Sequence, residues 1–165
     1  MRSPWVPAAI AAGVVVVDRI TKLYIQAAYS ARDVTKVIPG FFYIDHVENP
    51  GAGFGMLADS QGIWREVLLV GVSVVVMAII AVMLWRPGAG AAQSGLMRIG
   101  LALILGGAAG NLWDRIFRGT VTDFLQFFFG QWEFPSFNAA DAMITIGAGL
   151  LILDLLLTGH KEPKG

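Results

Sequence analysis

The sequence contains no cysteine, so disulfides, thiolate metal ligation and a cysteine nucleophile are all excluded. It has only 2 histidines. His46 and His160 lie in widely separated segments and neither sits in a His-Glu-x-x-His spacing, so both read as non-catalytic and no metal site is expected. No Gly-x-Ser-x-Gly turn is present, and Ser136 has no histidine near it in any expected helix, which disfavours a serine nucleophile. Charge is scarce, at 15% of residues, and cancels to a formal net of zero. No whole-chain field therefore argues for a nucleic-acid partner.

Apolar residues, by contrast, make up 56% of the 165 positions, well above the soluble average. That excess points to lipid as the solvent and to a single membrane domain over residues 1–165. Crossing the hydrocarbon core takes about 20 helical residues. The stretches of that length lie near 5–24, 63–85, 97–117 and 138–157. The second is the cleanest, uncharged from Val67 to Trp85, with Trp64 and Trp85 as interfacial anchors and Pro87 as a stop. The expected fold is mainly α and integral to the membrane, with four transmembrane helices. Met1 to Val17, with Arg2 ahead of an apolar run, also fits a secretory signal peptide, but apolar character resumes past Asp18 and Lys22, so an uncleaved first span fits better. Arg86 to Arg98 is basic and free of acids, and the tail carries Lys161 and Lys164 against Glu162, which places both termini in the cytoplasm. The opposite loops carry Arg32, Lys36, Arg65 and Arg118, so basic residues stand on both sides.

On the outer side, Phe41 to Val47 is rich in aromatic and branched residues and follows Pro39-Gly40, which reads as a strand after a turn. Asn49-Pro50-Gly51-Ala52-Gly53 reads as a second turn before Phe54 to Leu57. A small sheet over about residues 36–57, lying on the outer face, is the expectation. Gly88 to Gly95 reads as a small-residue linker.

The spans give each polar residue a depth. Asp18 and Lys22 fall in the outer half of the first, Asn111, Asp114 and Arg115 at the outer end of the third, and Asp141 about one turn inside the fourth. A charge at mid-span costs on the order of 3 kcal/mol on insertion scales, so such residues face partners or wet cavities. Asp18 and Lys22, four apart, read as a structural ion pair. Asp114 beside Arg115 reads as an interfacial pair, and Asp154 as a residue reaching the cytoplasmic interface. Gly106 to Gly110 reads as a run that lets helices approach closely. A proton-coupled carrier would repeat ionisable residues at mid-depth and on the inner side, yet the second span has none between Val67 and Trp85 and the fourth, inward of Asp141, only Asp154. A purely structural membrane partner would tolerate asparagine at 123 and 141. Those two aspartates are candidates for a shared-proton pair, in which the ionised member draws a proton from water while the other donates to a carbonyl oxygen.

Taken together the motifs are far more specific. Gly106-Gly107-Ala108-Ala109-Gly110-Asn111-Leu112-Trp113-Asp114-Arg115, then Gly119, Val121, Asp123 and Phe124, then Phe137-Asn138-Ala139-Ala140-Asp141, resemble the paired signature of the lipoprotein signal peptidase (signal peptidase II) family. Asp18 with Lys22, and Asn49, Gly51, Phe54 and Gly55, resemble that family's two amino-terminal motifs. The blocks occur in family order along nearly the whole chain. The resemblance implies a bacterial inner-membrane aspartic peptidase that needs no cofactor and cuts prolipoprotein signal peptides just before a diacylglyceryl cysteine. It implies Asp123 and Asp141 as catalytic, and Asn49, Gly51, Asn111, Arg115 and Asn138 around the substrate. It further implies a β-sheet cradle on the periplasmic face, contact with membrane lipid, and inhibition by globomycin-type peptides. Two departures stand out: Gly53 where alanine is common, and Thr122 where a second valine is usual.

Overall fold

The computed structural model describes residues 3, 5–31, 33–51, 63–86 and 93–158. It contains four long helices, α1 (Trp5–Ala28), α2 (Ile63–Trp85), α3 (Gly95–Arg118) and α4 (Ala139–Thr158). Two hairpins accompany them, β1 (Val34–Ile38) with β2 (Phe42–Asn49), and β3 (Val121–Phe129) with β4 (Trp132–Phe137). Helices α2, α3 and α4 are long and apolar enough to cross a membrane. Helix α1, at 24 residues, is long enough, but it carries Asp18, Arg19 and Lys22 along its length. It also runs past the expected limit of residue 24 to Ala28. The turn expected beyond Gly51, the segment Phe54 to Leu57, most of the Gly88 to Gly95 linker, and the tail with His160, Lys161, Glu162 and Lys164 lie outside the described residues.

The burial pattern inverts that of a water-soluble protein. In α1 the buried positions are Pro7, Val14, Asp18, Lys22 and Ile25, spaced to share one helix face. Val16, Val17, Ile20, Leu23 and Tyr24 point outward. Helix α2 exposes Val67, Val72, Val75, Ile79 and Val82, and α4 exposes Ile152, Leu155 and Leu156. Apolar side chains outside and charges inside are what a lipid solvent selects.

Helix α3 is the central element, packed against α1, α2 and α4. Its start is capped by Ser94, whose Oγ accepts from the Met97 N–H at 2.9 Å, and its end by Gly119, at φ 76°, whose N–H donates to Arg115 O. Close approach is bought by missing side chains. A Cβ on Gly107 would sit 2.5 Å from Ala140 O of α4, and one on Gly110 would sit 2.5 Å from the Asp18 carboxylate of α1. At the other end Ile80, Leu84 and Leu101 form an apolar cluster with Met97, Ile104 and Leu151.

The four strands form one antiparallel sheet in the order β1-β2-β3-β4. Sequence reading expected only its first half; the second half is the β3–β4 hairpin, which leaves α3 at Gly119 and delivers the chain to α4 at Asn138. Stacked aromatics join the halves through Phe42 and Phe127, with centroids 4.8 Å apart, and continue to Phe137 of β4, 5.9 Å from Phe127.

Candidate active site

The site is built where α1, α3, α4 and the sheet meet. Strand β3 starts two residues after the α3 cap, which puts Asp123 early in the strand. There Val47 is its partner in β2. The β3–β4 register pairs Leu125 with Phe137 and so brings Asp123 opposite the start of α4. Asn138 is the N-cap of that helix. Its Oδ1 accepts from the Asp141 N–H at 3.0 Å, and its own N–H donates to Asp141 Oδ2 at 3.3 Å. This reciprocal pair is a capping box. It explains locally why the sequence Asn138-Ala139-Ala140-Asp141 starts a helix, and it puts Asp141 in the first turn.

The Asn138 side chain also joins the two aspartates. Its Nδ2 donates to Asp123 Oδ1 at 2.6 Å and to Asn111 Oδ1 at 3.2 Å. Asn111 Nδ2 donates to Asp141 Oδ1 at 2.7 Å. From β2, Asn49 Nδ2 donates to Asp123 Oδ2 at 2.9 Å, while Asn49 Oδ1 accepts from the Gly51 N–H. Arg115 reaches the same loop, with Nη2 donating to Gly51 O at 3.2 Å, and its Nε is buried without a hydrogen bond. All seven residues expected around the reaction are thus in one hydrogen-bonded neighbourhood.

Behind them lies a second, fully buried layer. Lys22 Nζ stands 2.9 Å from each of Asp18 Oδ2, Asp114 Oδ2 and Asn111 Oδ1, forming ion pairs with the two carboxylates and donating a hydrogen bond to Asn111. Asp18 Oδ1 accepts the N–H of Ala140, an otherwise free donor in the first turn of α4. Asp114 does not pair with the adjacent Arg115, as the sequence suggested; its partners are Lys22 and Arg19. Neighbouring helical residues diverge around the axis, whereas Arg19 and Lys22 face α3 from α1.

Sequence reading missed a third group. Glu48 Oε1 accepts from Thr122 Oγ1 at 3.0 Å and Glu48 Oε2 from Thr120 Oγ1 at 2.5 Å, and Arg118 donates to Oε1. Gln26 Nε2 donates to Thr122 Oγ1 at 2.7 Å. Burial alone would raise Glu48, but the hydrogen bonds from Thr120, His46 and Thr122 and the Arg118 charge outweigh it and hold the carboxyl below its usual range. The unusual Thr122 thereby ties β3 to β2 and α1 beside Asp123. Gln26, four residues beyond Lys22 on the same helix face, was the available signal.

Asn111, Arg115 and Asp141 line a cavity of about 500 Å³ whose other walls are apolar apart from Ser73 and Thr145, among them Leu68, Val72, Val76, Ile104, Phe137 and Ile144. Asp123 is 2% exposed and sits behind Asn138. Burial, with the Asp141 charge adding to it, pushes the Asp123 carboxyl up to about 7, against the lowering by Asn49, Asn138 and Lys22. A carboxyl that titrates near neutrality, beside a second carboxyl and a long apolar cleft, can hold and release a proton at physiological pH.

The family model for Signal peptidase (SPase) II matches residues 10–157. The chain belongs to the signal peptidase II family. As a member of that family it is a peptidase of the aspartic type. It is 44% identical over 155 residues to a lipoprotein signal peptidase of Solibacter usitatus, covering 92% of this chain and 91% of that one. The lipoprotein signal peptidase of Symbiobacterium thermophilum is 40% identical over 147 residues, covering 89% and 91%. A bacterial membrane enzyme solved by the in meso method at 2.3 Å superposes with a TM-score of 0.83 at 29% identity, covering 96% of this chain and 93% of that one.

Proposed function

We propose that this signal peptidase II is a membrane-embedded endopeptidase that removes the signal peptide from diacylglyceryl-modified prolipoproteins, cutting on the amino side of the lipidated cysteine with Asp123 and Asp141. The observation that carries this reading is Asn138, which holds one aspartate by its side chain and the other by its backbone N–H, at the polar end of an apolar cleft. A signal peptide is an apolar helix, and a diacylglyceryl group tethers its cleavage point at the membrane surface, so the cleft and the dyad match the two parts of that substrate.

In the reaction, a water oxygen attacks the scissile carbonyl carbon as Asp141 takes one of its protons and Asp123 gives its proton to the carbonyl oxygen. The tetrahedral diol then collapses: Asp141 passes its proton to the leaving nitrogen, the C–N bond breaks, and Asp123 recovers a proton from the diol. One water is consumed and the dyad returns to its starting state. Asp123 is assigned the proton because it titrates near 7. Asp141 is assigned the base because it lies in the first turn of α4, where the helix dipole favours negative charge. The burial of Asn138, with its amide fully engaged, gives it the task of orienting the two carboxyls in place of direct contact with substrate, while Asn111 orients Asp141 and also lines the cleft. Arg115, which lines the cavity and holds Gly51 O, takes the substrate backbone or lipid ester.

Alongside this reading goes a single domain of four spans, α1 included. Its charges are satisfied within the bundle, which removes the objection to placing it in lipid. Both termini then lie in the cytoplasm of a bacterial inner membrane and the sheet cradles the periplasmic face. Globomycin-type peptides are expected to occupy the cleft. Purified protein should process a diacylglyceryl prolipoprotein and leave the unmodified form intact, and Asp123→Asn and Asp141→Asn should each abolish turnover. Full activity in either variant ends the dyad assignment.

A further inference from the structure

At the far end of α3 from the dyad, a second cavity of about 370 Å³ opens between the starts of α1 and α3, lined by Val6, Pro7, Ile10, Gly95, Arg98 and Ile99, with Ser3 at its edge. Apart from Arg98 and Ser3 its walls are apolar. Arg98 is 6% exposed, yet among the described residues no carboxylate pairs with it. Its Nη2 donates to Ser3 O at 2.8 Å, and its Nε is buried with no hydrogen bond. The nearby acid, Asp154, is engaged elsewhere, accepting from the Ser94 hydroxyl. A buried guanidinium without a counter-charge is costly unless something anionic supplies one. The first turn of α3 adds to this demand, because Arg98 lies where the helix dipole favours an anion.

We infer that this groove binds an anionic phospholipid, with the phosphate on Arg98 at the start of α3 and an acyl chain laid along Val6, Pro7, Ile10 and Ile99. A guanidinium that lines the groove without a carboxylate partner suits a phosphate. An apolar trough running along a membrane helix from that charge suits a chain, and a free anion would leave it empty. The site is separate from the dyad: Asn111 lies 13 residues further along α3, about 20 Å away at the helical rise. It does not rest on the peptidase reading, only on the helices lying in lipid.

The test is thermal unfolding of the purified full chain in detergent with added phosphatidylglycerol, phosphatidylcholine of the same acyl chains, or inorganic phosphate. Phosphatidylglycerol at ten times its dissociation constant should raise the midpoint by about 4 °C more than phosphatidylcholine does, and phosphate alone should do nothing. Arg98→Met should erase that preference. Ile10→Trp, which fills the trough and keeps the charge, should erase it as well, and it stands as an independent test if Arg98→Met does not fold. Equal effects of the two lipids on the wild type, or a full preference surviving in either variant, overturns the site; phosphate matching phosphatidylglycerol overturns the lipid. Processing of detergent-solubilised prolipoprotein should stay at the wild-type rate in both variants, so failure here and failure of the dyad are read separately.

Discussion

Replacing Lys22 with methionine tests the central electrostatic argument. Methionine keeps the length of the side chain and removes its charge and three donors. In the protein those donors face Asp18, Asp114 and Asn111, each at 2.9 Å, in a place where lysine and both aspartates are 0% exposed. Asp114 would keep Arg19, and Asp18 would keep the Ala140 N–H, so the site loses one positive charge against two carboxylates. Breaking a buried pair by removing one partner costs roughly 3–5 kcal/mol. For a chain of this length that corresponds to a fall in midpoint of about 10 °C. The assay is thermal unfolding in detergent followed by tryptophan fluorescence. The informative partner is Asp18→Asn, which still offers an oxygen to Ala140 and restores neutrality when combined with Lys22→Met. The double variant should regain more than half of the loss, a coupling a cycle reads directly. If Lys22→Met unfolds within 1 °C of the wild type, or if the two losses simply add, the three-acceptor ion site does not stabilise this bundle.

Three further outcomes are expected. Asn138→Ser should keep most of the helix cap and lose the bond to Asp123, so stability should hold while turnover falls at least tenfold; Asn138→Ala should lose both, with about 1 kcal/mol of stability. If Asp123 must be protonated, activity falls as pH rises through about 7, and Asn49→Ala, which removes a bond that lowers that carboxyl, should move the alkaline limb to higher pH. The sign for stability runs the same way: with a raised folded value, the contribution of Asp123 is present in acid and is lost as pH rises towards 7. Gly107→Ala forces a methyl to within 2.5 Å of Ala140 O and 2.7 Å of Ile144 Cγ1, so a loss of about 1–3 kcal/mol should accompany a drop in turnover, read by unfolding and by prolipoprotein processing.

Much of this architecture is legible in the residues because lipid is a simple solvent. Long apolar stretches mark α2, α3 and α4, and the four-residue spacing of Asp18 and Lys22 announces a shared face before any partner is known. What stays hidden is pairing across the chain. The run Phe124 to Phe137 is rich in aromatics, with Phe127, Phe128 and Phe129 in succession, and aromatic character without clean alternation does not say that β3 and β4 extend the sheet begun by β2. Arg19 gave no sign that it, and not the adjacent Arg115, would meet Asp114. The capping box was readable from Asn138 and Asp141 as a helix start, but its second use as the link to Asp123 depends on a register only the folded sheet supplies.

That double use of Asn138 and Asp141 sets when hydrolytic competence can arise. A nascent copy whose last helix has inserted without docking against Asp18 lacks a partner for the Ala140 N–H, and any fraying of that first turn separates the two carboxyls. On the proposed dyad such a copy holds no water-activating pair, so hydrolysis waits on completion of the bundle.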